Sequence, residues 1–108
     1  WLMLKSIIWH GSSYEDMKAF PPEARRDAGF QLDKVQRNLE PDDWKPLAVI
    51  GSGVREIRIR ESSGAFRIIY AANIGGSIHV LHAFQKKTQK TRQSDLALAT
   101  ARFRAIVR

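Results

Sequence analysis

The sequence predicts an α+β fold in the order β-α-α-β-β-β-α, a mostly antiparallel twisted sheet carrying an N-terminal helical hairpin and a C-terminal helix. Three observations predict it. Apolar residues recur at the helical period on either side of a Pro21-Pro22 break. Three β-favouring runs then follow one another between residues 54 and 85, separated by turn-forming Ser/Gly and Asn/Gly segments. The chain closes on a segment that is amphipathic at the helical period.

Residues 4–9 (Leu-Lys-Ser-Ile-Ile-Trp) are short and β-favouring, and His10-Gly11-Ser12-Ser13 turns the chain out of this first strand. Ser12 followed three residues later by Glu15 is a capping-box signature. Tyr14, Met17 and Phe20 fall near helical spacing, so a short helix is expected up to Pro21-Pro22. A second helix is expected from Pro22 or Glu23, with Ala24, Ala28, Leu32, Val35 and Leu39 on one face and Glu40-Pro41 as its end. The two helices make a hairpin that needs an apolar sheet face to cover.

Asp42-Asp43-Trp44-Lys45-Pro46 reads as a loop, residues 47–50 allow a short extended piece, and Gly51-Ser52-Gly53 punctuates the chain before Val54–Arg60. In that run Ile57 and Ile59 point one way while Glu56, Arg58 and Arg60 point the other, the two-residue period of a half-buried strand. Turns at 61–64 and 73–76 connect it to strands over 65–72 and 77–85, a three-stranded meander. A last helix opens near Ser94, with Asp95 in its first turn, Leu96, Ala99, Phe103 and Ile106 on one side, and Arg102, Arg104 and Arg108 loading its end with positive charge.

At 108 residues the chain suits one domain over residues 1–108, and a hydrophobic fraction of 44% with 27% charged residues is an ordinary globular balance. Met3 is read as the natural start and residues 1–2 as sequence outside it. No apolar run approaches the roughly 20 residues that cross a bilayer, so a soluble cytoplasmic protein with no membrane partner is expected. With no cysteine, disulfides and thiolate metal sites are excluded. The three histidines lack a zinc-like spacing, so neither a metal nor a small-molecule cofactor is expected. The formal charge of +7 favours polyanionic partners, because neutralising phosphates releases condensed counterions.

Arg58, Arg60 and Arg67 lie inside strands, and Lys86, Lys87 and Lys90 follow the last strand directly. Adjacent strands run about 4.8 Å apart, so these cations can line one surface wide enough for a nucleic-acid backbone. Arg60, Lys86 and Lys90 are expected to bind RNA there. The competing reading is that the strand arginines pair with Glu56 and Glu61 on a solvated face. Alternation sets Arg67 and Tyr70 on opposite faces, and does the same to Lys86 and Lys87 if the strand continues through them.

Metal-free RNA cleavage requires removal of the 2′-hydroxyl proton, stabilisation of charge on the phosphate and protonation of the leaving group. Arginine and lysine suit the middle task. His82, on the last meander strand, is the histidine best placed for proton transfer, against the alternative of a hydrogen-bonded structural histidine. His79 lies on the opposite face and His10 in a turn. Trp44 and Phe84 are candidates for stacking on bases, with core or loop packing as the alternative.

Phe20-Pro21, Val35-Gln36, Asp43-Trp44-Lys45-Pro46, Gly53-Val54-Arg55-Glu56-Ile57-Arg58, Phe66-Arg67-Ile68-Ile69-Tyr70 and Leu81-His82-Ala83-Phe84-Gln85-Lys86-Lys87-Thr88 together resemble the phage-derived, HigB-like branch of the RelE/ParE toxins. The resemblance covers almost the whole chain. It implies a RelE-like fold and a type II toxin that cleaves messenger RNA without a metal, commonly on the ribosome. It also implies neutralisation by a cognate antitoxin, with a small helix-turn-helix protein encoded alongside as the supporting observation. By motif position it implies that Arg58, Arg67 and Lys87 stabilise the cleaved phosphate, with Lys86 a close substitute. The chain departs from the RelE pattern at Glu56, where a strand lysine is expected, and near Gln93, where that branch uses a tyrosine. Proton transfer thus has no inherited owner, and His82 stays a candidate.

Two other functions fit the same fold class. One is a ParE-like inhibitor of DNA gyrase, acting by binding. The other is a non-catalytic basic module that binds nucleic acid, since fold alone does not fix function.

Overall fold

The two proline-separated helical stretches and the β-rich second half become the elements of a computed structural model that describes residues 4–107, apart from the side chain of Asn73. The expectations placed on residues 1–3 and on Arg108 lie outside the described residues. The elements are β1 (Ile7–Trp9), α1 (Ser13–Lys18), α2 (Pro22–Gln36), β2 (Trp44–Pro46), β3 (Val54–Glu61), β4 (Gly64–Ile74), β5 (Ser77–Lys86) and α3 (Gln93–Val107). They form one five-stranded sheet in the order β1-β5-β4-β3-β2. The meander β3-β4-β5 is antiparallel throughout, whereas β1 runs parallel to β5, pairing Ile7 with Ile78 and Trp9 with Val80.

Both faces of the sheet are covered. The α1–α2 hairpin lays Met17, Phe20, Ala24, Ala28, Leu32 and Val35 on one face, against Ile57, Ile59, Phe66, Ile68 and Tyr70. On the other face α3 sets Ala99 and Phe103 against Val54, Ile69, Ala71 and Leu81. Burial on two sides explains why β4 and β5 lack the alternation of apolar and polar residues that β3 shows.

Four local expectations are corrected. Ser12 precedes α1 but forms no capping box; its hydroxyl donates to Asp16 at 2.7 Å, while Ser13 is buried and donates to the Val80 carbonyl at 3.2 Å. Helix α2 stops at Gln36 rather than running to Leu39, because Asn38 takes a left-handed conformation (φ 64°). The amide of Leu39 then bonds the Lys34 carbonyl at 2.9 Å and that of Asn38 bonds Val35 at 3.1 Å, a Schellman termination that turns Leu39 out to solvent. The expected loop at 42–46 contains the edge strand β2, where Pro46 is tolerated because an edge position needs no donor on its outer side. Residues 47–50 are a turn closed by the Ile50 amide on the Leu47 carbonyl at 3.0 Å, with both side chains buried.

Candidate functional site

Strand register decides which cations meet. Arg58 lies directly opposite Arg67, and Arg60 opposite Ala65. Ala65 in turn lies opposite Lys86, and Arg67 opposite Phe84. Directly paired residues share a face, so Arg58, Arg60, Arg67 and Lys86 all project from the α3 side of the sheet, at the end that α3 leaves uncovered. Glu56 and Lys45, paired across β3 and β2, project from the same side.

Glu56 is the centre of this cluster and has no exposed surface. Its Oε1 lies 3.6 Å from Arg67 Nε and 3.7 Å from Lys45 Nζ, close enough for attraction but beyond hydrogen bonding to either. Its Oε2 accepts the Thr91 hydroxyl at 3.1 Å, which ties the segment leading into α3 down onto the sheet. Arg67 is 5% exposed, and one guanidinium nitrogen donates to the Phe66 carbonyl at 3.1 Å. Arg58 reaches the other way, gripping Asp43 Oδ1 through Nε at 3.0 Å and through a terminal nitrogen at 2.9 Å.

Burial lowers the Arg67 pKa against the opposing pull of Glu56, and Arg58 lowers it further. Partial loss of water and then the Arg67 charge likewise hold Lys86 below the ordinary lysine value. A depression of about 390 Å³ opens over Arg67 and Lys86, lined also by Arg60, Lys87, Thr88 and Gln89; Arg58, turned toward Asp43, is not among its lining residues. Strand β5 ends at Lys86, so Lys87 escapes the alternation that would have turned it to the other face, and both lysines line the same hollow. Lys90 lies exposed on the following segment and is not among the lining residues.

His82 sits apart from this hollow. It is buried, its Nε2 lies 2.7 Å from Asp95 Oδ1 in the first turn of α3, and its ring stacks on Phe84 at 4.8 Å between centroids. His10 and His79 pair with each other, Nε2 to Nδ1, at 2.8 Å. Trp44 carries the Arg55 guanidinium on its face at 4.0 Å, and Phe84 is occupied by His82, so both aromatics have intramolecular partners. Among the described residues, no group of three or more histidine or carboxylate side chains could hold a metal ion. No described helix is long and apolar enough to cross a membrane.

Sequence reasoning missed Asp43, Lys45 and Thr91 as members of the cluster, and it paired Glu56 with the strand arginines only on a solvated face. The signal for Glu56 was present as an acid within the cationic alternation of β3, but only tertiary neighbours, Arg67, Lys45 and Thr91 on the segment leading into α3, make it buried.

The topology resembles the broad RelE/ParE-type toxin fold, with the helical hairpin, the meander and the C-terminal helix in the same order. No curated protein matches the sequence. The family model described as phage derived protein Gp49-like (DUF891) matches residues 15–104, from within α1 almost to the end of α3 and including every member of the cluster. This chain belongs to that Gp49-like family.

Proposed function

We propose that the protein is the toxin of a type II toxin-antitoxin system, an endoribonuclease that cleaves messenger RNA at the cationic hollow. The observation that carries this reading is the direct pairing of Arg58 with Arg67 on adjacent strands. Like charges directly opposite each other destabilise a sheet, and Arg58, Arg67, Lys45 and Lys86 on this face meet only two acids, Asp43 beside Arg58 and the buried Glu56. A phosphodiester laid across the pair would supply the remaining negative charge.

In the proposed reaction the 2′-oxygen bonds to phosphorus, the bond to the 5′-oxygen breaks, and a cyclic phosphate and a free 5′-hydroxyl result. Arg67 binds a non-bridging oxygen within the hollow, and Arg58, released from Asp43, binds the other from beside it; both stabilise the charge that grows there. Lys86, whose lowered pKa eases release of a proton, protonates the departing 5′-oxygen. None of the residues lining the hollow is a carboxylate or an imidazole, so the 2′ proton passes to water. Lys87 and Arg60, on the rim, bind flanking phosphates, and Lys90 extends that track. His82 braces α3 through Asp95 and acts at a distance from the phosphate. Messenger RNA on the ribosome as target, the cytoplasm as location and a helix-turn-helix antitoxin as neutralising partner belong to the same proposal, which rests on the family likeness and on the charge of the surface.

Primer extension on transcripts after brief expression tests it. Arg58→Ala is the informative variant, because Arg58 is partly exposed and its removal leaves the buried Glu56–Arg67 contact in place. The wild-type protein should create new 5′ ends and the variant few or none at equal abundance. Intact transcripts with broken DNA would assign the protein to gyrase inhibition instead. Intact transcripts with undisturbed growth would make it a binding module.

A further inference from the structure

On the opposite face of the sheet, a cavity of about 240 Å³ lies under the C-terminal end of α2, far from the cationic hollow. Its lining includes Lys5, Val35, Leu39, Glu40, Arg55 and Tyr70. Arg55 and Tyr70 are directly paired across β3 and β4, so both project toward this cavity from neighbouring strands. Tyr70 has no exposed surface, and its hydroxyl lies beside the Arg55 guanidinium without reaching good hydrogen-bond geometry to it. A buried hydroxyl with so poorly aligned a partner is a standing cost, and the residue borders a space that can be filled.

We infer that this cavity binds a small monocarboxylate, with the Arg55 guanidinium as the principal contact and the Tyr70 hydroxyl as a second donor.

Arg55 is already arranged for such a ligand. Its guanidinium carbon sits over the Trp44 ring, 4.0 Å from the centroid, which holds the group in place. One terminal nitrogen holds a carboxylate of the same chain, Glu40 Oε2, at 2.9 Å. The Glu40 side chain is 62% exposed, so it can give way to an incoming carboxylate at little cost. A planar fork matches a carboxylate in two-point geometry.

The surroundings choose between anions. Two cations and one acid line the cavity, a balance that suits a single negative charge. The carbonyl end of α2 stands above it and opposes a second one. Val35, Leu39 and Ala72 offer apolar contact to a short aliphatic or aromatic body. Burial pushes the Tyr70 pKa up, against the pull of Arg55, so the phenol stays protonated and able to donate.

Sodium acetate and sodium benzoate, titrated into the purified full-length protein at constant ionic strength, test the inference, with chloride and inorganic phosphate as parallel arms. Amide NMR shifts should saturate and concentrate in residues 38–40, 53–55 and 70–72. Tyr70→Phe should weaken binding about tenfold, the loss of one hydrogen bond to a charged group. Arg55→Gln should abolish it, and Glu40→Gln should strengthen it by removing the internal competitor. Shifts that grow without saturation, that chloride reproduces, or that are indifferent to Tyr70→Phe would overturn the inference. Tighter binding of phosphate than of either carboxylate would overturn it as well.

Discussion

Glu56→Gln removes one charge from the buried contact beneath the cationic hollow and changes almost no volume. Thr91 can still donate to the amide oxygen, so the lead-in to α3 keeps its tie. Arg67 and Lys45 lose their acid, and Arg67 is left as a cation that is 5% exposed and faces Arg58 directly. Breaking a buried ion pair by removing one partner costs about 3–5 kcal/mol. The 3.6 Å separation, without a hydrogen bond between the charges, places this case at the lower end, about 3 kcal/mol. For a chain of 108 residues that is a fall in Tm of about 12 °C, at roughly 4 °C per kcal/mol. Thermal unfolding followed by circular dichroism at neutral pH would measure it. The double variant Glu56→Gln with Arg67→Gln should recover part of the loss, because the stranded cation is then gone. A Tm within about 2 °C of the wild type, or a double variant no more stable than the sum of the singles, would refute the assignment of Glu56 as the counter-charge of the cluster.

If Lys86 protonates the leaving oxygen, activity is present while it is charged and is lost as pH rises through a pKa held below the ordinary lysine value by burial and Arg67. Lys86→Arg should move that limb of the pH–rate profile upward, and an unmoved limb would remove Lys86 from the proton transfer. Burial, then His79, then Arg102 depress the His10 pKa, so its contribution to stability is complete above its unfolded value of about 6.5 and is lost as pH falls through the lower folded value. His79 Nε2 faces the Ile74 carbonyl and therefore carries a proton, leaving its Nδ1 to accept from His10. His10→Asn should flatten the dependence of Tm on pH between 7 and 5, as read by a melting series across that range. Gly51→Ala would drive a methyl into the Phe103 ring, whose nearest atom stands 2.3 Å from the new carbon, and should cost about 1–3 kcal/mol in urea unfolding. Adding Phe103→Leu should return some of that loss.

The fold was legible because its signals were local. Ala24, Ala28, Leu32 and Val35 at the helical period, and glycine-bearing turns between β-branched runs, specify α2 and the meander without reference to the rest of the chain. What the sequence did not disclose was tertiary. Nothing in Ile7-Ile8-Trp9 announces a parallel partner in β5, and Trp44-Lys45-Pro46 between two aspartates and Leu47 has the composition of a loop until β3 supplies its neighbour. Leu39 kept the helical period, yet Asn38 ended the helix first, because asparagine tolerates the left-handed conformation that the termination needs.

The site shows the same division. The cations of β3, β4 and β5 could be placed on one face by counting alternate residues, and register brought Arg58, Arg67 and Lys86 together. Lys87 could not be placed by counting, since its position depends on where the strand ends. Glu56 looked like a solvated acid because alternation alone cannot tell an open face from one that a distant segment closes over. Asp43 and Thr91 come from segments without periodicity, and only three-dimensional proximity shows that they hold Arg58 and Glu56.

The pairing of β1 with β5 bears on when the protein comes into being. A chain made from its N-terminus places Ile7-Ile8-Trp9 in solution long before Ile78, His79 and Val80 exist, an interval of several seconds at roughly 5–20 residues per second. Until then the first strand has no neighbour to join, and the hairpin that follows it has no finished sheet to cover. The cations that would meet an RNA likewise come from three strands, the last of which ends at Lys86. Arg58 and Arg67 can therefore acquire their full set of companions only after that strand has cleared the exit tunnel, so the cationic surface cannot be assembled while its own message is still being read through this stretch.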